Sequence, residues 1–223
     1  MIPLRDKNPT QRFPFMTILL IAMNILIFMY ELTLGPNLEI FTAQYGIIPL
    51  QISNVLQEGT VNLLVLLTLV SSLFLHGGWL HLGGNMLYLW VFGDNVEDKL
   101  GHFRFLFFYI ICGIAASALH IYLDPQSSVP TIGASGAISG VLGAYLLLFP
   151  KAKVVTLIPI FIFIQIAELP AFIILGFWFV LQFFNGVLSL GYATAGMGGV
   201  AWWAHIGGFA AGLILVFPFR KYR

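Results

Sequence analysis

Two residues with the side chains of a nucleophilic hydrolase each stand at the start of an apolar stretch. Ser135 lies within Gly133-Ala-Ser-Gly136, and His205 lies seventy residues later within Ala204-His-Ile-Gly-Gly208. A serine hydroxyl becomes an effective nucleophile when an adjacent base accepts its proton, and histidine commonly supplies that base. The pair therefore indicates acyl transfer, provided that the fold brings the two side chains together.

A second group of polar residues lies in His76-Gly-Gly-Trp-Leu-His81-Leu-Gly-Gly-Asn85. His81 and Asn85 are four residues apart, so both project from one face of a helix. A ring N–H and an amide NH2 could stabilise the oxyanion of acyl transfer. Alternatively, the two side chains bond each other and merely hold helices together. A metal site at His76 and His81 is disfavoured, because they are five apart with no cysteine or acid within the motif. We expect no cofactor.

The first pair has simpler interpretations as well. Glycines recur at intervals of three and four from Gly133 to Gly143, and such stripes let helices pack closely without any chemistry. Ser139, one helical turn beyond Ser135, is a rival nucleophile, although its greater depth would hinder access of water. His205 could be purely structural, but ionisable side chains within a membrane are costly and usually functional.

The composition identifies the environment of these residues. The chain has 223 residues, of which 59% are hydrophobic and 9% are charged. That charged fraction is well below the roughly 25% of a soluble domain, so a multi-span membrane protein is expected. The net charge of +1 gives no reason to expect a nucleic-acid partner. The single cysteine, Cys112, excludes an internal disulfide and is expected to be a small buried core residue.

We predict an all-α polytopic membrane protein that forms one domain over residues 1–223. An outer loop of about 48 residues before the second span is too long for a simple connector and should hold short helices of its own. Two further apolar runs, 61–75 and 154–164, are expected to lie in the interface or against the bundle. The six predicted spans are 14–31, 80–92, 103–123, 135–149, 170–190 and 202–219.

The basic residues give the sidedness of this arrangement. With six spans and the N-terminus inside, all ten Lys and Arg residues lie on one side, and the opposite loops 32–79, 124–134 and 191–201 contain none. Lys and Arg accumulate on the cytoplasmic side, so both termini are expected there. Ser135 and His205 would then begin their spans at the same outer face and at similar depth.

Four stretches of the chain together resemble the rhomboid family of intramembrane serine proteases, in its minimal six-span bacterial type. They are the spacing His76…His81…Asn85, Glu97-Asp-Lys-Leu-Gly-His-Phe-Arg104, Gly133-Ala-Ser-Gly136 and Ala204-His-Ile-Gly-Gly208. The resemblance implies a six-helix bundle whose long first outer loop lies partly in the membrane, with the fifth span as a lateral gate for substrates.

The resemblance also implies roles for individual residues. Ser135 would be the nucleophile and His205 the general base, while His81 and Asn85 would correspond to the oxyanion side chains of the family. Some members carry an aromatic residue where Ser139 stands, against the histidine ring. His205 is therefore expected to be held differently here, with the pair Trp202-Trp203 as an obvious substitute.

The predicted function is that of an endopeptidase in a bacterial inner membrane, surrounded by lipid, that cleaves transmembrane protein substrates with a Ser-His dyad. Asp124 lies in an outer loop and Glu168 near the inner end of the fifth span, so neither suits the third place of a triad. The dyad would be oriented by packing or by a neighbouring hydroxyl. Two alternatives remain open: an inactive rhomboid-like protein that binds membrane helices, and a small transporter, for which no inverted repeat is visible.

Overall fold

The computed structural model describes residues 1–59, 61–160, 163–191 and 200–220. The predicted outer loop 191–201 lies outside the described residues except at its ends, as do Lys221 and Arg223. The described helices are α1 (Phe15–Glu31), α2 (Leu38–Tyr45), α3 (Pro49–Glu58), α4 (Leu63–Ser71), α5 (Trp79–Leu100), α6 (His102–Leu123), α7 (Ser135–Leu148), α8 (Ala171–Gly191) and α9 (Trp202–Phe219), and the strands are β1 (Ile2–Asp6), β2 (Lys153–Ile160) and β3 (Phe163–Pro170).

The expected helical bundle of a polytopic membrane protein is confirmed, and a helix occupies each of the six ranges that the sequence marks as spans. By length and apolarity, α6, α9 and the segment Ala171–Ser189 of α8 could each cross a membrane. Two bent pairs also qualify when each is taken as one unit: α1 with the segment Gly35–Tyr45, bent by 118°, and Leu63–Phe74 with α5, bent by 81°. The helix α7 is apolar but shorter.

The long segment between α1 and α5 contains three short helices, α2 to α4, as its length predicts. The apolar run 61–75 forms α4 and one 3₁₀ turn, Ser72–Phe74, and α4 packs against α6. Asn62 caps α4, because its side-chain oxygen accepts a hydrogen bond from the Val65 N–H at 3.3 Å. Such a cap satisfies one of the free amides of the first turn.

The apolar run 154–164 contributes to a β-hairpin, which the sequence does not predict. Strands β2 and β3 pair antiparallel, and β1 adds to the outer edge of β2, giving the order β1-β2-β3. Val154, Val155 and Thr156 are β-branched and therefore suit a strand. The sheet follows the C-terminal end of α7, a helix of 14 residues and so about 21 Å long. It therefore lies at the opposite end of α7 from Ser135.

Glu168 lies in strand β3 of this sheet, just before the fifth of the predicted spans. Its carboxylate forms an ion pair with Lys7 and lies 3.9 Å from Lys153 Nζ. The hydrogen bond from Lys7 lowers the pKa of Glu168 below its usual value. Glu168 is thus committed at the far end of the bundle, and its exclusion as a partner of His205 agrees with this position.

The stretch 97–104 at the end of α5 fixes α1 against the bundle. The carboxylate of Glu97, which is 1% exposed, accepts hydrogen bonds from the backbone amides of Met16 at 2.9 Å and Thr17 at 2.7 Å. A carboxylate at a helix N-terminus satisfies free amides and complements the helix dipole. His102 Nδ1 lies 2.5 Å from the same carboxylate, which ties the start of α6 to the same point.

The helix α7 forms the centre of the molecule. All residues from Gly136 to Tyr145 are buried, and α5, α6, α8 and α9 all pack against this helix. Cys112 is fully buried on α6, as expected from the sequence. Large aromatic side chains are fully buried in the bundle, namely Tyr145 on α7, Phe92 on α5, and Phe105, Phe108 and Tyr109 on α6.

Candidate active site

Close packing of α7 against α9 sets the distance between the two candidate catalytic side chains. A Cβ atom on Gly208 would lie 2.0 Å from the carbonyl oxygen of Gly136, and one on Gly212 would lie 2.0 Å from that of Gly140. Only glycine permits these backbones to approach so closely. The glycine stripes therefore do pack against each other, as the sequence predicts.

This packing brings Ser135 and His205 together. Ser135 is the first residue of α7, and His205 lies in the first turn of α9. The Ser135 Oγ is 2.8 Å from His205 Nε2, within the range of a direct proton transfer. His205 is 9% exposed, so its ring is almost completely enclosed by protein.

Ser139, the rival nucleophile, has a different partner. Its hydroxyl donates to the carbonyl oxygen of Ser135 at 2.6 Å, and its side chain is fully buried. This is the usual bond of a serine within a helix to the preceding turn. The arrangement leaves the Ser135 hydroxyl, at the mouth of α7, as the one that meets the imidazole.

The other side of the His205 ring is enclosed by α8. Gln182 Oε1 lies 2.7 Å from His205 Nδ1, and the Trp178 ring lies alongside at 5.9 Å between centroids with an interplanar angle of 35°. Trp202 contacts the ring edge-on at 6.0 Å and 88°. The expected contact with Trp202 is present, but the side chains from α8 were not anticipated. A glutamine within an apolar helix is the signal that could have identified the first of them.

His81 lies beside the nucleophile. A Cβ atom on Gly133 would lie 2.6 Å from His81 Nε2 and 3.7 Å from Ser135 Oγ, so the imidazole and the hydroxyl border the same small space. Gly133 has a φ of +125°, which favours glycine, and its N–H donates to the carbonyl of Ser72 at 2.9 Å. His81 Nδ1 accepts from the Gly77 N–H at 3.3 Å, so in the neutral ring the proton is on Nε2, facing that space.

Asn85 is held by His76, for which the sequence predicts no role at the oxyanion site. Its Nδ2 lies 3.0 Å from His76 Nε2, and both side chains are buried. The backbone N–H of His76 in turn donates to the buried Glu31 carboxylate at 3.2 Å. Asn85 is therefore bonded to His76 and not to His81. Since an amide NH2 has two hydrogens, one N–H of Asn85 is left for another acceptor.

The chain belongs to the rhomboid family, because the model of the Rhomboid domain matches residues 64–222. It is 38% identical over 92 residues to Rhomboid protein 1, mitochondrial, of Saccharomyces cerevisiae, covering 40% of this chain and 27% of that protein. It is 44% identical over 78 residues to Rhomboid protease GluP of Bacillus subtilis, covering 35% of this chain and 15% of that protein. It is 33% identical over 156 residues to RHOMBOID-like protein 4 of Arabidopsis thaliana, covering 67% of this chain and 33% of that protein.

The chain spans about a quarter of the length of the first curated relatives it matches. Family membership and the apolar helices together make it an integral, multi-pass membrane protein. The family consists generally of intramembrane serine proteases. The resemblance found in the sequence is thus confirmed at the level of the family.

Proposed function

We propose that this protein is a serine endopeptidase that hydrolyses peptide bonds in or beside the transmembrane segments of other membrane proteins. In this proposal Ser135 is the nucleophile and His205 the general base. The observation that carries it is the 2.8 Å approach of Ser135 Oγ to His205 Nε2. Two helices in backbone contact hold that distance, so the pair is organised before a substrate arrives.

The reaction follows from this geometry. His205 Nε2 accepts the hydroxyl proton while Ser135 Oγ forms a bond to the substrate carbonyl carbon. The imidazolium then protonates the leaving amine as the C–N bond breaks, which leaves an acyl-enzyme. A water molecule gives a proton to His205 and attacks the ester carbon. The C–Oγ bond breaks, the proton returns to Ser135 Oγ, and the new carboxyl end is released.

The oxyanion of both steps needs hydrogen-bond donors placed in advance. The backbone N–H of Ser135 is one of the free amides of the first turn of α7. His81 Nε2 faces the space next to the hydroxyl, and Asn85 retains one N–H beyond its bond to His76. We assign His81 and Asn85 to the oxyanion site on these contacts.

Substrates would enter between α5 and α8. Both helices turn large apolar side chains outward, among them Trp90 and Phe184, and α8 packs against α7 and α9 on its other side. A transmembrane helix protects its own peptide groups by hydrogen bonding. Substrates should therefore carry residues that weaken a helix, such as glycine or proline, near the cleaved bond.

The orientation in the membrane is part of the proposal. All ten basic residues are compatible with a single side, and those of the sheet, such as Arg5 and Lys153, lie at the end of α7 remote from Ser135. By the preference of Lys and Arg for the cytoplasm, both termini are cytoplasmic and the catalytic mouth faces outward. A bacterial inner membrane is the location we propose.

The decisive experiment compares the wild type with Ser135→Ala and His205→Ala in cleavage of a model transmembrane substrate in detergent micelles. Only the wild type should cleave, and only it should react rapidly with a fluorophosphonate probe at Ser135. Cleavage by folded Ser135→Ala protein would transfer the nucleophile elsewhere, with Ser139→Ala as the next variant. Equal probe labelling of His205→Ala would exclude the dyad, and an inert wild type would favour a protein that only binds helices.

A further inference from the structure

The contact between α8 and the His205 ring is unusual for a membrane helix. Gln182 is 8% exposed and lies among apolar residues of α8. A polar side chain buried in this way is costly unless it is hydrogen-bonded. Its only hydrogen bond among the described residues is the one to His205 Nδ1, at 2.7 Å.

We infer that Gln182 is a positioning residue that keeps His205 in the tautomer protonated on Nδ1, so that Nε2 can accept the proton of Ser135. This inference rests on the proposed function. The role is that of an orienting group: Gln182 touches neither the substrate nor the reacting atoms, and it acts only through the imidazole.

The tautomer follows from the two contacts of the ring. If the carbonyl oxygen of Gln182 faces Nδ1, then Nδ1 must carry the proton, and Nε2 has a lone pair directed at the Ser135 hydroxyl. If the amide were turned so that its NH2 faced Nδ1, Nε2 would carry the proton and would donate to Ser135. That second arrangement could not take a proton from the nucleophile. The first is therefore the one compatible with catalysis.

Position and orientation are supplied together by one helix. Trp178, one turn before Gln182, lies 5.9 Å from the His205 ring at an angle of 35°. The indole limits tilting of the imidazole. The hydrogen bond to the Gln182 amide limits rotation of the ring about the bond that joins it to the His205 Cβ atom. This pair replaces the aromatic side chain that Ser139 does not provide.

The first test separates the hydrogen bond from the packing. Gln182→Met keeps the length of the side chain but removes the acceptor, and Gln182→Glu keeps an oxygen at the same place. We expect Met to lower kcat about 10- to 100-fold, below the ~10⁴-fold that a wrong tautomer costs where a carboxylate orients the histidine. KM should change by less than about twofold, since substrate binding is untouched. Glu should recover most of kcat in the molecules that fold, but with a lower melting temperature, because a buried carboxylate must be desolvated.

A matched control lies on the same helix. The Asn185 side chain makes no hydrogen bond within the described part of the chain, so Asn185→Leu should leave kcat unchanged. Melting temperatures of all variants show whether a lost rate reflects lost structure. A Met variant as fast as the wild type, or a Glu variant as slow as Met, would overturn the inference.

The second test reads the tautomer directly and needs no substitution of Gln182. The measurement is an NMR spectrum of Ser135→Ala protein labelled with ¹⁵N-histidine. The signals of His205 are those that disappear when His205→Ala is added to the same protein. A neutral ring protonated on Nδ1 is expected, and a ring protonated on Nε2 would refute the inference even if every Gln182 variant misfolded. Cleavage that survives Ser135→Ala or His205→Ala would instead contradict the proposed function. The spectrum would still report which nitrogen of His205 carries the proton, so the two failures can be told apart.

Discussion

Substitution of Gly212 by alanine should uncouple the two catalytic side chains without touching either. The added Cβ atom would lie 2.0 Å from the carbonyl oxygen of Gly140, whereas ordinary contacts begin near 3.4 Å. To relieve the overlap, α9 must move away from α7 by about 1.4 Å. His205, Gly208 and Gly212 lie on one face of α9. The histidine therefore moves away from α7 together with the two glycines.

That movement is large compared with the tolerance of the reaction. The separation of Ser135 Oγ and His205 Nε2, 2.8 Å in the structure, would increase to as much as ~4.2 Å, beyond the ~3.2 Å limit of a productive hydrogen bond. Displacements of about 1 Å can lower catalytic rates ~10²-fold. We expect kcat of Gly212→Ala to fall roughly 100-fold, together with about 1–3 kcal/mol of stability from overpacking.

The assay is turnover of a transmembrane substrate in micelles, with the fluorophosphonate labelling rate and the melting temperature measured on the same preparation. Gly176→Ala on α8 is the control, because a Cβ atom there meets nothing within 4 Å. Gly207→Ala, whose Cβ atom would lie 2.9 Å from Leu119 Cβ, should have an intermediate effect on stability. A folded Gly212→Ala protein that retains wild-type kcat would refute the argument that helix packing sets the catalytic distance.

Three further predictions concern other parts of the molecule. Asn85→Ala should lower kcat by roughly 10- to 10³-fold, and unchanged turnover would remove Asn85 from the oxyanion site. His76→Leu, which removes the hydrogen bond to Asn85 and the ring contact with His81 but leaves both of those side chains in place, should lower kcat less than Asn85→Ala and lower the melting temperature as well. Burial raises the pKa of Asp6 from 3.8 to about 6, so the folded protein binds this proton more tightly than the unfolded chain, and the free energy of unfolding declines as pH rises from about 4 to about 6. Asp6→Asn should flatten that decline and raise the free energy of unfolding by about 1 kcal/mol at pH 7, allowing for the partial exposure of the side chain. Identical pH profiles of thermal unfolding for the variant and the wild type would contradict this. A cysteine placed beside Lys151 in a Cys112→Ala background should resist an impermeant maleimide added outside, and labelling there would reverse the proposed orientation.

The contact between Ser135 and His205 could be predicted because its signal is local. Ser135 begins α7, His205 lies in the first turn of α9, and the glycines that let the two helices touch follow within a few turns. The end of α5 was harder to place, since apolar residues stop near position 92. The helix continues to Leu100 because Asn95 and Glu97 are buried in a hydrogen-bonded network with the N-terminal segment. Polarity there marks contact with protein rather than the end of the helix.

The sheet could not be predicted from local patterns, because its pairing joins distant parts of the chain. Ile2 pairs with Leu157, and no property of residues 1–6 alone announces such a partner. From the sequence, the apolar run 154–164 is therefore expected to lie in the interface or against the bundle, and its β-branched residues do not by themselves indicate a hairpin. Long-range strand pairing of this kind is visible only when the whole fold is known.

In the proposed site, an amide rather than an acid or a hydroxyl orients His205. Acids and hydroxyls are the more familiar partners of a catalytic histidine. In the apolar interior of α7, α8 and α9, however, a carboxylate would have to be desolvated, and its cost can exceed the attraction that it gains. An amide provides the same acceptor oxygen without a net charge, at the far smaller cost of burying a bonded dipole. A neutral acceptor is therefore the side chain that the membrane environment favours at Nδ1, and the 2.7 Å contact of Gln182 meets that requirement.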